Sequence, residues 1–388
     1  MTIETGALEQ AYIDLEASYN PAAVAALGAA DGIRHLELTV SGKHNREASP
    51  EKRGTPDEQQ SLPRRHTAAW NLSSVMWEPS GTPGTEANVG RLLKAGMGAQ
   101  HTVTGGLTTT VSAAPAPTAT GATLTSVVGL AVGDVIAVTV AGEREATRIK
   151  TLAGSAITFD ALSAAPDVPG EVVGGITYQL ASLITQSFAV YKYYNAGNFK
   201  QAAYGSVVDQ ITVTFDGTRE VLLAISGPSA RYSDSSPGGG TVQAKPAAHT
   251  TVGAPVGGMV GSFFADTGVE FPVISVQVTI ANNLELRNKE LGTAYASGIA
   301  GRANNRQVGV TMTFYLEDLR VLGMAHTFTR GVLRLLVGDT AGSMLAAILP
   351  GVEFEIPDVG NEIGPKELTI TGKAYATNGN DQVFLAEL

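Results

Sequence analysis

The sequence predicts a mainly β protein in which one strand-loop-strand pattern is written twice, and three observations carry that prediction. The first is composition. The 388 residues include 45 Gly and 18 Pro but only 16% charged side chains, a balance that suits short strands and tight turns better than long helices. The second is alternation: Leu36, Leu38 and Val40 point one way while His35, Glu37, Thr39 and Ser41 point the other, as a half-buried strand requires. The third is self-similarity. LELTV, a charged stretch and HTAAWNLSS from His66 recur as VQVTI, a similar stretch and RQVGVTMTF from Arg306. Placing Leu36 on Val276, Leu38 on Val278 and Val40 on Ile280 leaves Ala68 on Val308, Trp70 on Val310 and Leu72 on Met312 with no gap. Strands and loop are therefore expected to have equal lengths in the two copies, the signature of a duplicated architecture.

Taken in order, residues 1–32 read as an N-terminal arm that begins polar and ends in PAAVAALGAAD. Residues 33–101 and 184–227 are assigned to the first copy. Its long loop, 43–65, carries three prolines and many charges with almost no large apolar residue, so it is expected to be structureless, and loops of this length usually bind something. A helix is expected within WEPSGTPGTEANVGRLLKAGMG, with Thr85 as N-cap, Gly96 and Gly98 as its stop, and Val89, Leu92 and Leu93 on its apolar face. In the second copy EDLRVLGMAHTFTRG fills the same slot, with Leu319, Leu322 and Ala325 or His326 turned inward.

A further correspondence runs at a shorter spacing. Residues 201–227 resemble 345–372, with Ala202 and Ala203 on Ala346 and Ala347 and Glu220 on Glu367. The spacing drops from about 240 residues to about 145, so the first copy holds roughly 95 residues that the second lacks. This excess is assigned to 102–183, where apolar runs around Val135, Ile136 and Val138 alternate with Gly129, Gly133 and Gly142; it reads as a small inserted β domain. Residues 228–255, rich in Gly, Pro and Ser, read as a linker, and 256–388 as the second copy.

The length suits two or three domains. No apolar run reaches the roughly 18 to 20 residues that cross a bilayer, and the first residues carry Glu4, Glu9, Asp14 and Glu16, so neither a membrane partner nor an export signal is expected. With no Cys there is no disulfide and no thiolate metal site. A net charge of −10 argues against a general nucleic-acid-binding surface. The six His are scattered without an HExxH spacing, GxSxG and phosphate-loop motifs are absent, and the glycines near 237–240 lack the Lys that phosphate binding needs. Glu353 with Glu355, and Asp209 with Asp216, are explained as a solvated strand face. No enzymatic activity, cofactor or metal is expected.

The outward strand positions say more. In the first copy they include Glu37, Thr39, Ser41, Asn71, Ser73, Gln210, Thr212 and Thr214; in the second, Gln277, Thr279, Gln307, Thr311 and Thr313. These side chains are short, polar and mostly uncharged. Solvated sheets commonly guard themselves with Lys and Glu, whereas this face suits a surface past which something slides without sticking.

The arrangement resembles the major tail tube proteins of long-tailed (siphovirus-like) bacteriophages, in the variant with two fused tube domains. The likeness rests on SYNPAAVAALGAADGIRHLELTVSG, GTEANVGRLLKAGMG, GSVVDQITVTFDGTREVLLAISG, GRANNRQVGVTMTFYLED and PKELTITGKAYATNGNDQVFLAEL, in that order; it covers roughly three quarters of the chain and leaves the insertion outside.

The resemblance implies two tandem tail-tube β-sandwich or barrel domains, each with a flanking α-helix, whose sheets join into a closed ring. It implies homotrimeric pseudo-sixfold rings stacked into a tube. It also implies contacts with tape measure, tail terminator and distal tail proteins, transient passage of double-stranded DNA, and a place in the virion tail after assembly in the host cytoplasm. Glu37, Thr39, Asn71, Thr212, Gln277, Thr279, Thr311 and Thr313 would then face the lumen. DNA carries one charge per about 1.7 Å, so a neutral or acidic wall lets it pass. Lys43, Arg46, Glu47, Glu51, Lys52, Arg53, Asp57, Glu58, Arg64 and Arg65, with Glu285, Arg287, Lys289, Glu290, Arg302 and Arg306, would sit on loops between rings. The insertion is expected outside the ring.

The competing reading, from a different class, is a tail-tip or adhesion β-sandwich module that binds a host receptor or glycan. It predicts aromatic clusters on an exposed face, and aromatics make up only 6% of the chain.

Overall fold

Alternating apolar and polar residues lay down strands through most of the chain, and the computed structural model describes residues 9–20, 27–48, 61–194, 199–246, 253–259, 261–265, 269–270, 272–316, 320–357 and 367–388. The strands before the first helix are β1 (Gln10–Leu15), β2 (Gly32–Ile33), β3 (Glu37–Ala48) and β4 (Ser61–Met76), and the helix is α1 (Gly90–Met97). Next come β5 (Gly98–Thr110), β6 (Gly121–Thr123), β7 (Val135–Val140), β8 (Glu143–Ala153), β9 (Ala156–Phe159) and β10 (Glu171–Leu180). Then follow β11 (Phe188–Tyr193), β12 (Lys200–Ser206), β13 (Gln210–Asp216), β14 (Leu222–Ser229) and β15 (Arg231–Asp234). The remainder is β16 (Gly261–Ala265), β17 (Val269–Glu270), β18 (Ser275–Ala281), β19 (Leu284–Leu286), β20 (Ile299–Arg302), β21 (Gln307–Tyr315), α2 (Arg320–Thr327), β22 (Gly331–Val337), β23 (Leu345–Phe354), β24 (Glu367–Ala374) and β25 (Phe384–Glu387). The fold is mainly β, as composition and alternation predict.

Seven strands make one antiparallel surface in the order β3-β4-β14-β13-β18-β21-β24. Their inward residues, among them Leu38, Trp70, Leu72, Ile211, Val278, Val310 and Ile370, are buried against two outer sheets. One outer sheet is β2-β1-β11-β12-β15; the other is built on β22, β23 and β25. Trp70 meets Phe188 edge to face at 5.1 Å and donates its indole N–H to Val207 O at 3.1 Å. A Cβ on Gly227 would stand 1.9 Å from that same carbonyl, so only glycine lets β14 pass there.

The ladders align the two copies residue by residue. Gly227 lies opposite Trp70 and Gly372 opposite Val310, so β4 matches β21 with Trp70 on Val310, as the sequence predicts. Ala203 and Ala347 lie in the shared core, while Ala202 and Ala346 are buried on the opposite faces of their strands in two smaller clusters. The first strand departs from the gap-free match: Leu38 pairs with Leu72 and Val276 with Met312, so Leu38, not Leu36, occupies the position of Val276. The two loops thus differ in length. A slip of two residues leaves every side chain on its own face, which is why alternation could not detect it. Glu220 precedes β14 and is not the counterpart of Glu367, which opens β24.

Two local expectations change. The first long loop is not structureless throughout: β3 and β4 stay paired from Lys43 opposite Thr67 to Ala48 opposite Ser61, because a ladder needs backbone groups and no apolar core. Thr85 is not the N-cap of α1. The Asn88 amide donates to Met76 O at 2.9 Å and its Oδ1 accepts from Glu78 N at 3.0 Å, which holds the preceding segment in turns, so the helix starts after Val89. Gly98 ends it with φ 88°. In α2, Val321, Met324 and Ala325 are buried and His326 is exposed; Leu319 lies outside the described residues.

Residues 103–172 include a hydrophobic cluster of their own, from Val103 and Leu107 to Phe159 and Val172. A second cluster joins Val135, Ala137 and Val173 to Leu336, Ala346, Ile348 and Phe384 on the outer sheet of the second copy. The end of β10 also pairs with β25, from Ile176 opposite Glu387 to Gln179 opposite Phe384. Residues 103–180 are therefore packed onto the outer sheet built on β22, β23 and β25.

Candidate functional site

The seven-stranded surface turns a mostly polar face away from the core, with Ala69, Ala224 and Leu222 among its outward positions. Thr39 stands opposite Asn71, Asn71 opposite Ser226, Thr212 opposite Thr279, and Gln277 and Thr371 on either side of Thr311. Hydroxyls and amides meet across the strands: Thr212 and Thr279 at 3.5 Å, Gln277 Nε2 to Thr214 Oγ1 at 3.4 Å, Thr313 and Thr369 at 3.0 Å, and Ser73 Oγ to Glu37 at 2.7 Å. All eight positions read from the sequence as the polar face, Glu37, Thr39, Asn71, Thr212, Gln277, Thr279, Thr311 and Thr313, lie on it.

The strands of the two repeated sequence patterns meet inside this face. β13 of the first pairs with β18 of the second from Gln210 opposite Ala281 to Asp216 opposite Ser275. Asp209 pins the end of that joint, its carbonyl accepting from Asn282 N at 2.7 Å and its carboxylate from Leu284 N at 2.6 Å. Asn282 is buried and donates to Gly96 O and Val208 O, while its own oxygen accepts from Arg306 Nε at 3.0 Å. Among the described residues the sheet thus ends in two edges: β3, paired only with β4, and the end of β23, paired beyond Val352 only with β24.

Away from the β3–β4 hairpin, charge on this face is sparse: Glu37, Asp216, Glu353, Glu355 and Glu367 are set against Lys43 and Lys373, and Arg330 pairs with Glu353 at 2.7 Å. Arg46, Glu47, Arg64 and Arg65 lie farther along β3 and β4. Hydrogen bonds from Thr218 hold the Asp216 carboxyl below its usual range, and Glu355 pairs with Lys373 at 3.6 Å.

The loop charges separate into three groups. Glu47 pairs with Arg64, Asn45 donates to Arg65 O at 2.9 Å, and Arg65 reaches Thr293 Oγ1 at 3.2 Å, so the first hairpin leans on the second copy's loop; Lys43 and Arg46 are exposed. Glu285 pairs with Lys289, and Glu290 with Arg287; Ser297 and then Arg287 hold the Glu290 carboxyl low. Arg302 and Arg306 do not point outward: both donate to Ala181 O, and burial beside Arg302 pulls Arg306 down to about 10. Glu51, Lys52, Arg53, Asp57 and Glu58 lie outside the described residues.

Among the described residues no three His, Asp or Glu side chains gather as a metal site, and no helix is long and apolar enough to cross a membrane. An open cleft lined by His66, Tyr204, Arg231, Tyr232 and Tyr295 lies beside the first hairpin. Sequence reading missed this cleft, and it missed the Asp209 and Asn282 anchors. The one local signal for the anchors was the Asn282-Asn283 pair, where Asn283 takes φ 54°. No protein-family model matches the chain, and no curated protein matches it.

Proposed function

We propose that the chain is a structural virion protein: a subunit that polymerises into stacked rings and forms a tail tube, a conduit through which genome DNA passes. The observation that carries this reading is the mostly polar face that runs across the β13–β18 ladder, where Thr212 meets Thr279. A half-buried sheet whose charge, away from the β3–β4 hairpin, is sparse makes a wall that does not hold a polyanion. In this reading the copies are two tandem tube domains with flanking helices, three chains complete a pseudo-sixfold ring, and Glu37, Thr39, Asn71, Thr212, Gln277, Thr279, Thr311 and Thr313 line the lumen. The insertion packs on the outer sheet, away from that face, so it decorates the outside of the ring. The charged hairpins reach the next ring, and tape measure, terminator and distal tail proteins meet the ends of the stack in the virion tail, assembled in the host cytoplasm. No catalysis and no cofactor is called for. Negative-stain microscopy of the purified protein tests the reading: rings or tubes with a central bore support it, and discrete solid particles at every concentration refute it.

The cleft of Tyr204, Arg231, Tyr232, Tyr295 and His66 favours a second reading, a tail-tip or adhesion module that takes a host glycan or receptor on aromatic faces. Binding to a glycan panel by particles that never form rings would select it.

A further inference from the structure

The joint between the two copies supplies a template for a joint between two chains, an inference that rests on the tube reading above. The ladders fix the counterparts. Because β4 matches β21 and β14 matches β24, Gln210 of the first copy corresponds to Glu355 of the second, and Ile211 to Ile356. Through the same reference strands, Ala281 of the second copy corresponds to Lys43 of the first, and Ile280 to Gly42. In the internal joint Gln210 lies opposite Ala281 and Ile211 opposite Ile280.

We propose that the edge of β3 in one chain pairs antiparallel with the strand end at Glu355–Ile356 of a second copy, in the internal register, so that Glu355 faces Lys43 and Ile356 faces Gly42. Three features of the free chain fit this pairing. Glu355 and Lys43 are both exposed on the polar face and opposite in charge, the combination that favours directly opposed strand residues. Ile356, two residues past the end of β23 and in step with the buried Phe354, is 55% exposed, while its counterpart Ile211 is fully buried. Over Gly42, where the second copy has the Ile280 side chain, lies Tyr232: a Cβ on Gly42 would stand 2.3 Å from that ring. Ile356 therefore meets Tyr232 where Ile211 meets Ile280.

The two joints differ in one respect. Asp209 pins the internal joint by accepting from two backbone N–H groups, and its counterpart is Phe354, which has no carboxylate. The joint between chains relies on the Glu355–Lys43 pair and the cover over Ile356, so it is the one that opens, and it weakens with salt.

The chain has no Cys, so paired cysteines report the register directly. Lys43→Cys/Glu355→Cys, treated with a short bis-maleimide under assembly conditions, is expected to give covalent dimers and trimers, whereas each single variant gives none. Gln210→Cys/Ala281→Cys is expected to link within one chain and verifies folding. Assembled rings that link at 210/281 but not at 43/355 would overturn this joint and leave the tube reading standing. Folded chains that link at 210/281 and never assemble would overturn both. In a parallel experiment, Lys43→Glu is expected to block assembly and Lys43→Glu/Glu355→Lys to restore it; a single variant that assembles like the parent counts against the charge pair.

Discussion

Arg334 of β22 and Glu145 of β8 form an ion pair at 3.2 Å with 1% and 2% of their side chains exposed, joining the outer sheet built on β22, β23 and β25 to β8. Arg334 also donates to Ala146 O at 3.2 Å and lies over the Phe264 ring, and Glu145 accepts from Ser163 N at 3.1 Å. Burial pulls the Arg334 pKa down and Glu145 pushes it back up. Removing one partner leaves a buried charge without its counter-ion, so Arg334→Ala is expected to lower stability by about 3–5 kcal/mol in urea unfolding. Arg334→Met/Glu145→Met is expected to recover most of that loss. A single variant as stable as the parent would mean that the insertion is not locked to the sheet.

Glu387 of β25 is fully buried, and burial raises its carboxyl to about 7 against an opposing hydrogen bond from Ala87 N. An acid whose folded pKa is raised binds its proton more tightly folded than unfolded. Its stabilising contribution is complete below about 4.5 and is lost as pH rises through about 7. Stability against thermal unfolding is therefore expected to fall between those values, by an amount on the order of 3 kcal/mol for a shift of this size. Glu387→Gln, which stays neutral, is expected to flatten that slope; an unchanged pH profile would rule out Glu387 as its source.

The polar face predicts a specific gain of function. Thr212→Lys/Thr279→Lys adds two cations per chain at the internal joint without touching the core. Tubes of this variant are expected to form and to retain linear double-stranded DNA with strong salt dependence, while parent tubes release it. DNA retained equally by both, measured by sedimentation across a salt series, would show that the wall does not set passage.

Much of this was legible in the sequence, for physical reasons that also explain what was not. Val276, Val278 and Ile280 alternate with polar residues, so strand and face could both be read. The two-residue shift that puts Leu38 in the place of Val276 could not, because a period of two is blind to it. Thr85 looked like a cap because the partner that displaces it, the Asn88 bridge between Met76 and Glu78, exists only after folding. Arg302 and Arg306 looked like surface charge because nothing local announces the Ala181 carbonyl they share. Glu387, Arg334 and the Asp209–Asn282 anchor depend on residues far apart in sequence.

The hairpin charges give a further prediction. Deleting residues 47–61 removes Glu47, Glu51, Lys52, Arg53, Asp57 and Glu58 and leaves the sheet register at Leu38–Leu72 intact. Single rings are expected to persist while tube length, measured by electron microscopy, collapses. Tubes of parental length would remove this loop from ring stacking.

The central claim, that the polar face becomes the inside of a closed bore, is tested most directly by labelling. Gln277→Cys is exposed on that face and Val132→Cys is exposed on the insertion. In free chains both are expected to react with a bulky polymer-linked maleimide, and in assembled tubes only Cys at 132 should react, while a small maleimide still reaches both. Full reactivity at 277 toward the bulky reagent in assembled particles, or protection at 132 in its place, would contradict the account.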